Sequence, residues 1–148
     1  MIWSLIPKEG IVSKEHSIRF GDSRDELRKA LEATYSCETP KNFQNEDDFK
    51  NESVYIRVRY DADNRVEDIE FLGGQLEYRD INLHEGTTFS EIEDSFRSIG
   101  LSFCDTEWFG EGKDCTELEI SIATREQVGG DGDDIEWVIM SNDPESFS

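Results

Sequence analysis

Two histidines, three cysteines and a dense population of carboxylates are the residues of this chain whose types suit chemistry. His16 and His84 are its only side chains that ordinarily titrate near neutrality, and neither stands in a spacing that pairs it with a nucleophile or a metal. HExxH, GxSxG and a phosphate-cradling glycine loop are all absent. Cys37, Cys104 and Cys115 are odd in number and form no CxxC, which fits packing thiols in a reducing compartment better than a disulfide framework. A Cys–His pair formed in space is open to any chain with these residues and carries no information. Paired carboxylates are too abundant here to mark a glycosidase-like pair. The expectation is therefore no catalytic residue and no cofactor.

The run Asp131-Gly132-Asp133-Asp134 with Glu136 offers hard oxygen ligands of the kind calcium takes. An EF-hand needs a bidentate glutamate at the twelfth position; counted from Asp131 that position holds Asn142. A solvated turn, with glycines placed for positive φ, accounts for the run without a metal, and none is expected.

How the charge is distributed says more than any motif. The 148 residues carry 35 Asp and Glu against 15 Lys and Arg, a formal charge of −20. A field of that sign repels nucleic-acid phosphate and anionic lipid and favours a basic partner. Residues 101–148 hold 13 acids and only 2 bases, so more than half of the excess lies in the last third. Glu107, Glu111 and Asp114 are expected in one loop, Asp131, Asp133 and Asp134 in another, and Glu117, Glu119 and Glu136 on an outward strand face between them. Trp108 and Phe109, beside Gly110, are candidate aromatic anchors for a partner on that acidic surface. The competing reading is that the acids only solvate the chain, with Trp108 and Trp137 filling the core.

These residues must be positioned by a few elements. Ser23-Arg24-Asp25-Glu26 has capping-box spacing ahead of Leu27, Ala30 and Leu31 on one helical face; Thr88-Phe89-Ser90-Glu91 repeats it ahead of Ile92, Phe96 and Ile99. The two boxes and helices are offset by 65 residues. Val54, Ile56, Val58 and Tyr60 alternate with Tyr55, Arg57 and Arg59, and after a turn at 61–65 the chain returns through Val66 to Leu72, with Asp68 and Glu70 outward. That is a hairpin whose arginines and carboxylates can neutralise one another across strands. Further strands are expected at 75–83, 101–109, 115–123 (Leu118, Ile120 and Ile122 inward) and 135–140, the last with Ile135, Trp137 and Ile139 on one face. The stretch 34–52 reads as polar connection, and 141–148 as a flexible tail. The expected fold is one α+β domain over 1–148, a mainly antiparallel sheet with two helices on one face, built as a tandem of helix-plus-strands halves, 1–80 and 81–140.

No segment approaches the roughly 18 consecutive apolar residues of a membrane span. The opening Met1 to Pro7 lacks a basic region and is cut short for a signal peptide, so a cytoplasmic protein is expected. In size, acidity, helix-plus-sheet layout and freedom from catalytic motifs the chain resembles the bacterial toxin-immunity proteins, including those of contact-dependent inhibition. The resemblance has no diagnostic motif, so no contact residue is carried over from it. It implies a non-enzymatic antidote that binds and masks a cognate toxin domain, and the acidic surface suits a basic nuclease. The alternatives are a DNA-mimic inhibitor of a host nucleic-acid enzyme and a calcium-binding or small hydrolytic domain. Phe20-Gly21-Asp22-Ser23 with Glu26, Leu27 and Leu31 is also similar to the tandem repeat of the β-lactamase inhibitory proteins, although a secreted role does not fit the start of this chain.

Overall fold

In a computed structural model that describes residues 2–105, 108 and 112–144, the sequence folds as α+β. The chain runs β1 (Ile2–Ile6), β2 (Gly10–Val12), β3 (Ser17–Arg19), α1 (Arg24–Leu31), β4 (Ser36–Glu38), β5 (Glu46–Lys50), β6 (Tyr55–Tyr60) and β7 (Val66–Gly73). It continues through β8 (Gln75–Tyr78), β9 (Ile81–Asn82), α2 (Phe89–Ser98), β10 (Cys104–Asp105), β11 (Lys113–Cys115), β12 (Ile120–Thr124), a 3-10 turn at Glu126–Val128 and β13 (Ile135–Ser141).

The strands form two sheets where the sequence suggests one. A five-stranded sheet has the order β3-β2-β1-β8-β9, and an eight-stranded sheet the order β10-β11-β12-β13-β7-β6-β5-β4. All pairings are antiparallel except β1 with β8. The small sheet takes the three-stranded meander β1–β3 and the hairpin β8–β9; after each of these come a helix and a four-stranded meander, and the two four-stranded meanders meet where β7 pairs antiparallel with β13, Phe71 opposite Val138. β8 and β9 form one antiparallel hairpin, Tyr78 opposite Ile81, ahead of α2. Gly74, at φ +114°, turns the chain from the large sheet into the small one, and a Cβ there would meet Ser53 O at 3.0 Å.

One hydrophobic core joins the layers. Trp3, Leu5, Ile11, Ile18 and Leu76 of the small sheet pack with Leu27 and Leu31 of α1, Phe89, Ile92 and Phe96 of α2, and the inner face of the large sheet. That inner face carries Phe49, Ile56, Val58, Tyr60, Ile69, Phe71, Ile120, Ile122, Val138 and Met140. Both helices therefore cover one face of the large sheet, as their apolar spacing requires. Of the two N-caps only the second forms: Thr88 Oγ1 accepts from the Glu91 amide at 3.3 Å, with Glu91 Oε2 accepting from the Thr87 hydroxyl at 3.1 Å, while the Ser23 hydroxyl makes no capping bond.

Several strand expectations need correction. The polar stretch 34–52 contains β4 and β5, and β5 reads Glu46-Asp47-Asp48-Phe49-Lys50, a sequence of low strand propensity. The expected strand at 115–123 is broken: a turn over 116–119 separates β11 from β12, with Glu119 at φ 56°. Of the expected strand at 101–109 the described part is β10, and Glu107 and Phe109 lie outside the described residues. Ile135, Trp137 and Ile139 do not share a face. The register shifts between Ala123 and Thr124, so Glu136 is an extra, bulged residue, Ile135 joins the main core, and Trp137 and Ile139 pack with Ala123 and Leu72 on the opposite face. Ser141 belongs to β13, and the Asn142 amide bonds to Glu67 O at 2.9 Å, so the tail does not begin at 141.

Candidate functional site

The charged part of the molecule is organised around β5. Successive residues of a strand point to opposite faces, so Asp47 faces the core while Glu46 and Asp48 face outward, and all three are buried. Asp47 is gripped from α1, where Arg24 and Arg28 lie one helical turn apart. Arg28 donates from Nε to Oδ2 and from Nη2 to Oδ1, both at 2.8 Å, Arg24 donates to the same oxygens at 3.2 and 3.0 Å, and Thr39 Oγ1 donates to Oδ1 at 2.7 Å. Burial alone would raise this carboxyl; the donors from Arg28, Arg24 and Thr39 outweigh it and hold it well below the ordinary carboxylate range. The Arg24 guanidinium also lies over the Tyr60 ring, 4.6 Å from its centre.

On the outward face the register sets acids and arginines in two rows. Glu46 pairs with Arg59 and Arg59 with Asp68; Asp48 pairs with Arg57 and Arg57 with Glu70. The closest contacts are Arg57 Nε to Asp48 at 2.8 Å, Arg59 Nε to Glu46 at 3.1 Å, Arg59 Nη1 to Asp68 at 3.3 Å and Arg57 Nη1 to Glu70 at 3.7 Å. The cross-strand neutralisation read from the hairpin is thus present, and β5 extends it. Burial pushes the Asp68 carboxyl up, with Ser141 and Arg59 opposing, and pushes Glu70 up against the pull of Arg57 and Arg59. The apolar part of this face is the small cluster Ala123, Trp137, Ile139 and Leu72, separate from the core that holds the helices and the small sheet.

The acids singled out in the sequence fall into two groups. Glu117, exposed, and Glu119, half-buried, sit in the turn beyond Ile120, whereas Asp131, Asp133 and Asp134 sit in the loop before Ile135, at the far end of the β12–β13 hairpin. At roughly 3.3 Å per residue, the length of β12 sets the groups about 15 Å apart. Asp114 is buried on the outward face and accepts a hydrogen bond from Ser121. Asp133 is engaged by α2: its carboxylate accepts from the Ser90 amide and hydroxyl at 3.2 and 2.9 Å. Glu136, in the bulge, lies 3.7 Å from Arg125. Trp108 is half-buried; Glu107, Phe109 and Glu111 lie outside the described residues. What the sequence reading missed is the trio Glu46, Asp47 and Asp48; its one signal was the pair of arginines on the first helix, Arg24 and Arg28, to which no carboxylate had been assigned.

The remaining chemistry-bearing residues are placed as follows. His16 Nε2 lies 2.9 Å from Thr34 Oγ1, and His84 Nε2 donates to Glu136 O at 3.2 Å. Burial lowers His84 below the ordinary imidazole value and pushes the Cys115 thiol up to about 11. Cys37 is exposed on β4, and partial desolvation and the nearby Asp47 carboxylate raise its thiol. A cleft of about 450 Å³ between β9 and α2 is lined by Asp80, Asn82, Thr87, Glu91, Asp94 and Ser95 among others, and one of about 350 Å³ by His84, Thr87, Arg125 and Asp134 among others. Among the described residues no three His, Cys, Asp or Glu side chains are grouped to hold a metal ion, and no helix is long and apolar enough to cross a membrane. No protein-family model, no curated protein and no solved structure matches this chain.

Proposed function

We propose that the chain is a cytoplasmic, non-enzymatic immunity protein that binds a basic toxin domain, a nuclease foremost, and neutralises it by masking its substrate groove or active site. The observation that carries this reading is where the positive charge goes. Arg24 and Arg28 are committed to Asp47, and Arg57 and Arg59 to Glu46, Asp48, Asp68 and Glu70. The two bases of residues 101–148, Lys113 and Arg125, are engaged by Asp105 and Glu136. No ion pair among the described residues reaches Glu117, Glu119, Asp131 or Asp134. Within residues 101–148 both bases are thus already paired, and the acidic excess of that third stands without a free cation of its own among the described residues. A groove built to hold phosphate complements such a surface and is steered to it over long range.

The test is co-expression with the polypeptide encoded beside this chain. A stable complex that restores growth, and an association rate falling steeply with salt, is the expected result. Reversing Glu117, Asp131 and Asp134 to lysine together should slow association about tenfold or more at low salt. An unchanged rate would remove the acidic surface from the recognition. Inhibition of many unrelated nucleic-acid enzymes would point instead to a DNA mimic.

A further inference from the structure

The connection from β9 to α2 is fastened at its start to the turn out of the large sheet: the Glu85 amide donates to Gly74 O at 3.2 Å, and the His84 amide to Asn82 Oδ1 at 3.3 Å. From there the His84 side chain reaches the large sheet. It is 8% exposed, and its ring stands edge-on to Phe71 of β7 with the centres 5.5 Å apart. Its Nε2 donates at 3.2 Å to the carbonyl of Glu136, the bulged residue of β13. With that proton on Nε2 the other ring nitrogen is an acceptor, and Nδ1 is buried without a hydrogen-bond partner. The neutral ring is accommodated there. An imidazolium is not, because it adds a second N–H, at Nδ1, and a charge in a place that offers neither an acceptor nor water.

Beside the ring lies the cleft of about 350 Å³ lined by Glu85, Thr87, Arg125, Asp134 and Ile135 among others. The charged groups around His84 are Glu85 on its own connection, Glu136 on β13, and Arg125 and Asp134 from the two ends of the loop between β12 and β13; β7 presents the uncharged Phe71 ring. We propose that His84 is a proton-operated latch: on protonation its ring leaves Phe71 and the Glu136 carbonyl for this cleft, where Glu85 and Asp134 supply acceptors and counter-charge. The latch joins segments that already touch. Thr88 bridges to Asp134, and the Phe89 amide donates to Asp133 O at 3.1 Å, so releasing His84 loosens the start of α2 from the acidic loop before β13. The inference goes beyond the proposed function and needs no partner. Burial lowers the imidazole, with the Glu136 carbonyl, Glu85 and the Glu136 carboxylate opposing. The folded state therefore holds this proton less tightly than the unfolded chain does. Docking is complete above the ordinary value of 6.5 and is lost as pH falls below it.

The test is a titration of the ¹³C,¹⁵N-labelled full chain from about pH 7.5 to 5, following the imidazole Cε1–Hε1 resonances and the backbone amides, with His16→Gln identifying the His84 signal. The His84 ring should titrate with a midpoint below about 6.5. The amides of 84–88, 125 and 134–137 should shift with the same midpoint, the ratio of released to docked ring rising about tenfold per pH unit, while those of β6 stay still. His84→Gln should abolish the shared step; should that variant not fold, the coincidence of midpoints in the wild type decides alone. A ring that titrates at or above the ordinary value would overturn the latch, as would a ring that titrates without the amides of 134–137. So would a change that spreads through β6, or an unaltered acid step in His84→Gln.

Discussion

Asp47 shows how a residue of the wrong type comes to occupy a strand. A carboxylate facing the core is costly unless charged donors surround it, and Arg24, Arg28 and Thr39 do so. Asp47→Asn should therefore destabilise the protein by about 3 kcal/mol in urea unfolding at pH 7, because two guanidinium groups lose their counter-charge. The sign with pH follows from its lowered carboxyl. Its stabilisation is complete above the ordinary carboxylate value near 4 and is lost as pH falls through the folded-state value, so the gap between wild type and Asp47→Asn should close in acid. Asp68 carries the opposite sign. With a raised carboxyl the folded state holds the proton more tightly, so stability is gained as pH drops toward the ordinary value and lost as it rises back. Asp68→Asn should flatten the stability profile just above the ordinary carboxylate value near 4, measured by thermal unfolding as pH is raised from there.

At the level of elements, α1 and α2 look alike in sequence but are fastened differently. In α2, Thr88 caps the Glu91 amide while the Asp133 carboxylate takes the Ser90 amide, tying the helix to the loop before β13. α1 has no side-chain cap and is held by its arginines to β5. Thr88→Ala should cost about 1 kcal/mol, and Ser23→Ala a few tenths at most, in the same unfolding assay. The helices, the β6–β7 hairpin and the inward pair Ile120 and Ile122 were legible because their periods of 3.6 and 2 are clean within each element. β5 was not legible: its alternation is acid against acid, and only arginines from α1 and β6 distinguish its two faces. The bulge at Glu136 was equally hidden, since one extra residue reverses the face of everything before it without altering the apolar count.

For the whole molecule, net charge and folding pull in opposite directions. A charge of −20 on 148 residues repels itself in any compact state, and salt screens that repulsion. Raising ionic strength from about 0.02 to 0.3 M should lift Tm by about 3–6 °C, provided the buried pairs at Asp47 and Asp48 are screened little. The same salt should slow association with a basic partner. Screening thus separates two kinds of acid: those already answered by arginine within the sheet, and those at 117, 119, 131 and 134 that face solvent.

Sequence alone determined the sign of the net charge, the two helices, the central hairpin and the concentration of acid in the final third, because these depend on composition and on periods read within a short window. Tertiary structure alone decided that there are two sheets, that Glu117 and Glu119 lie at the opposite end of one hairpin from Asp131, Asp133 and Asp134, and that the carboxylates of β7 share their arginines with those of β5. The physical reason is that register and burial are set between segments far apart in the chain. Arg59 meets Glu46 on one side and Asp68 on the other only after three strands have paired, and no local pattern encodes which carboxylates share an arginine.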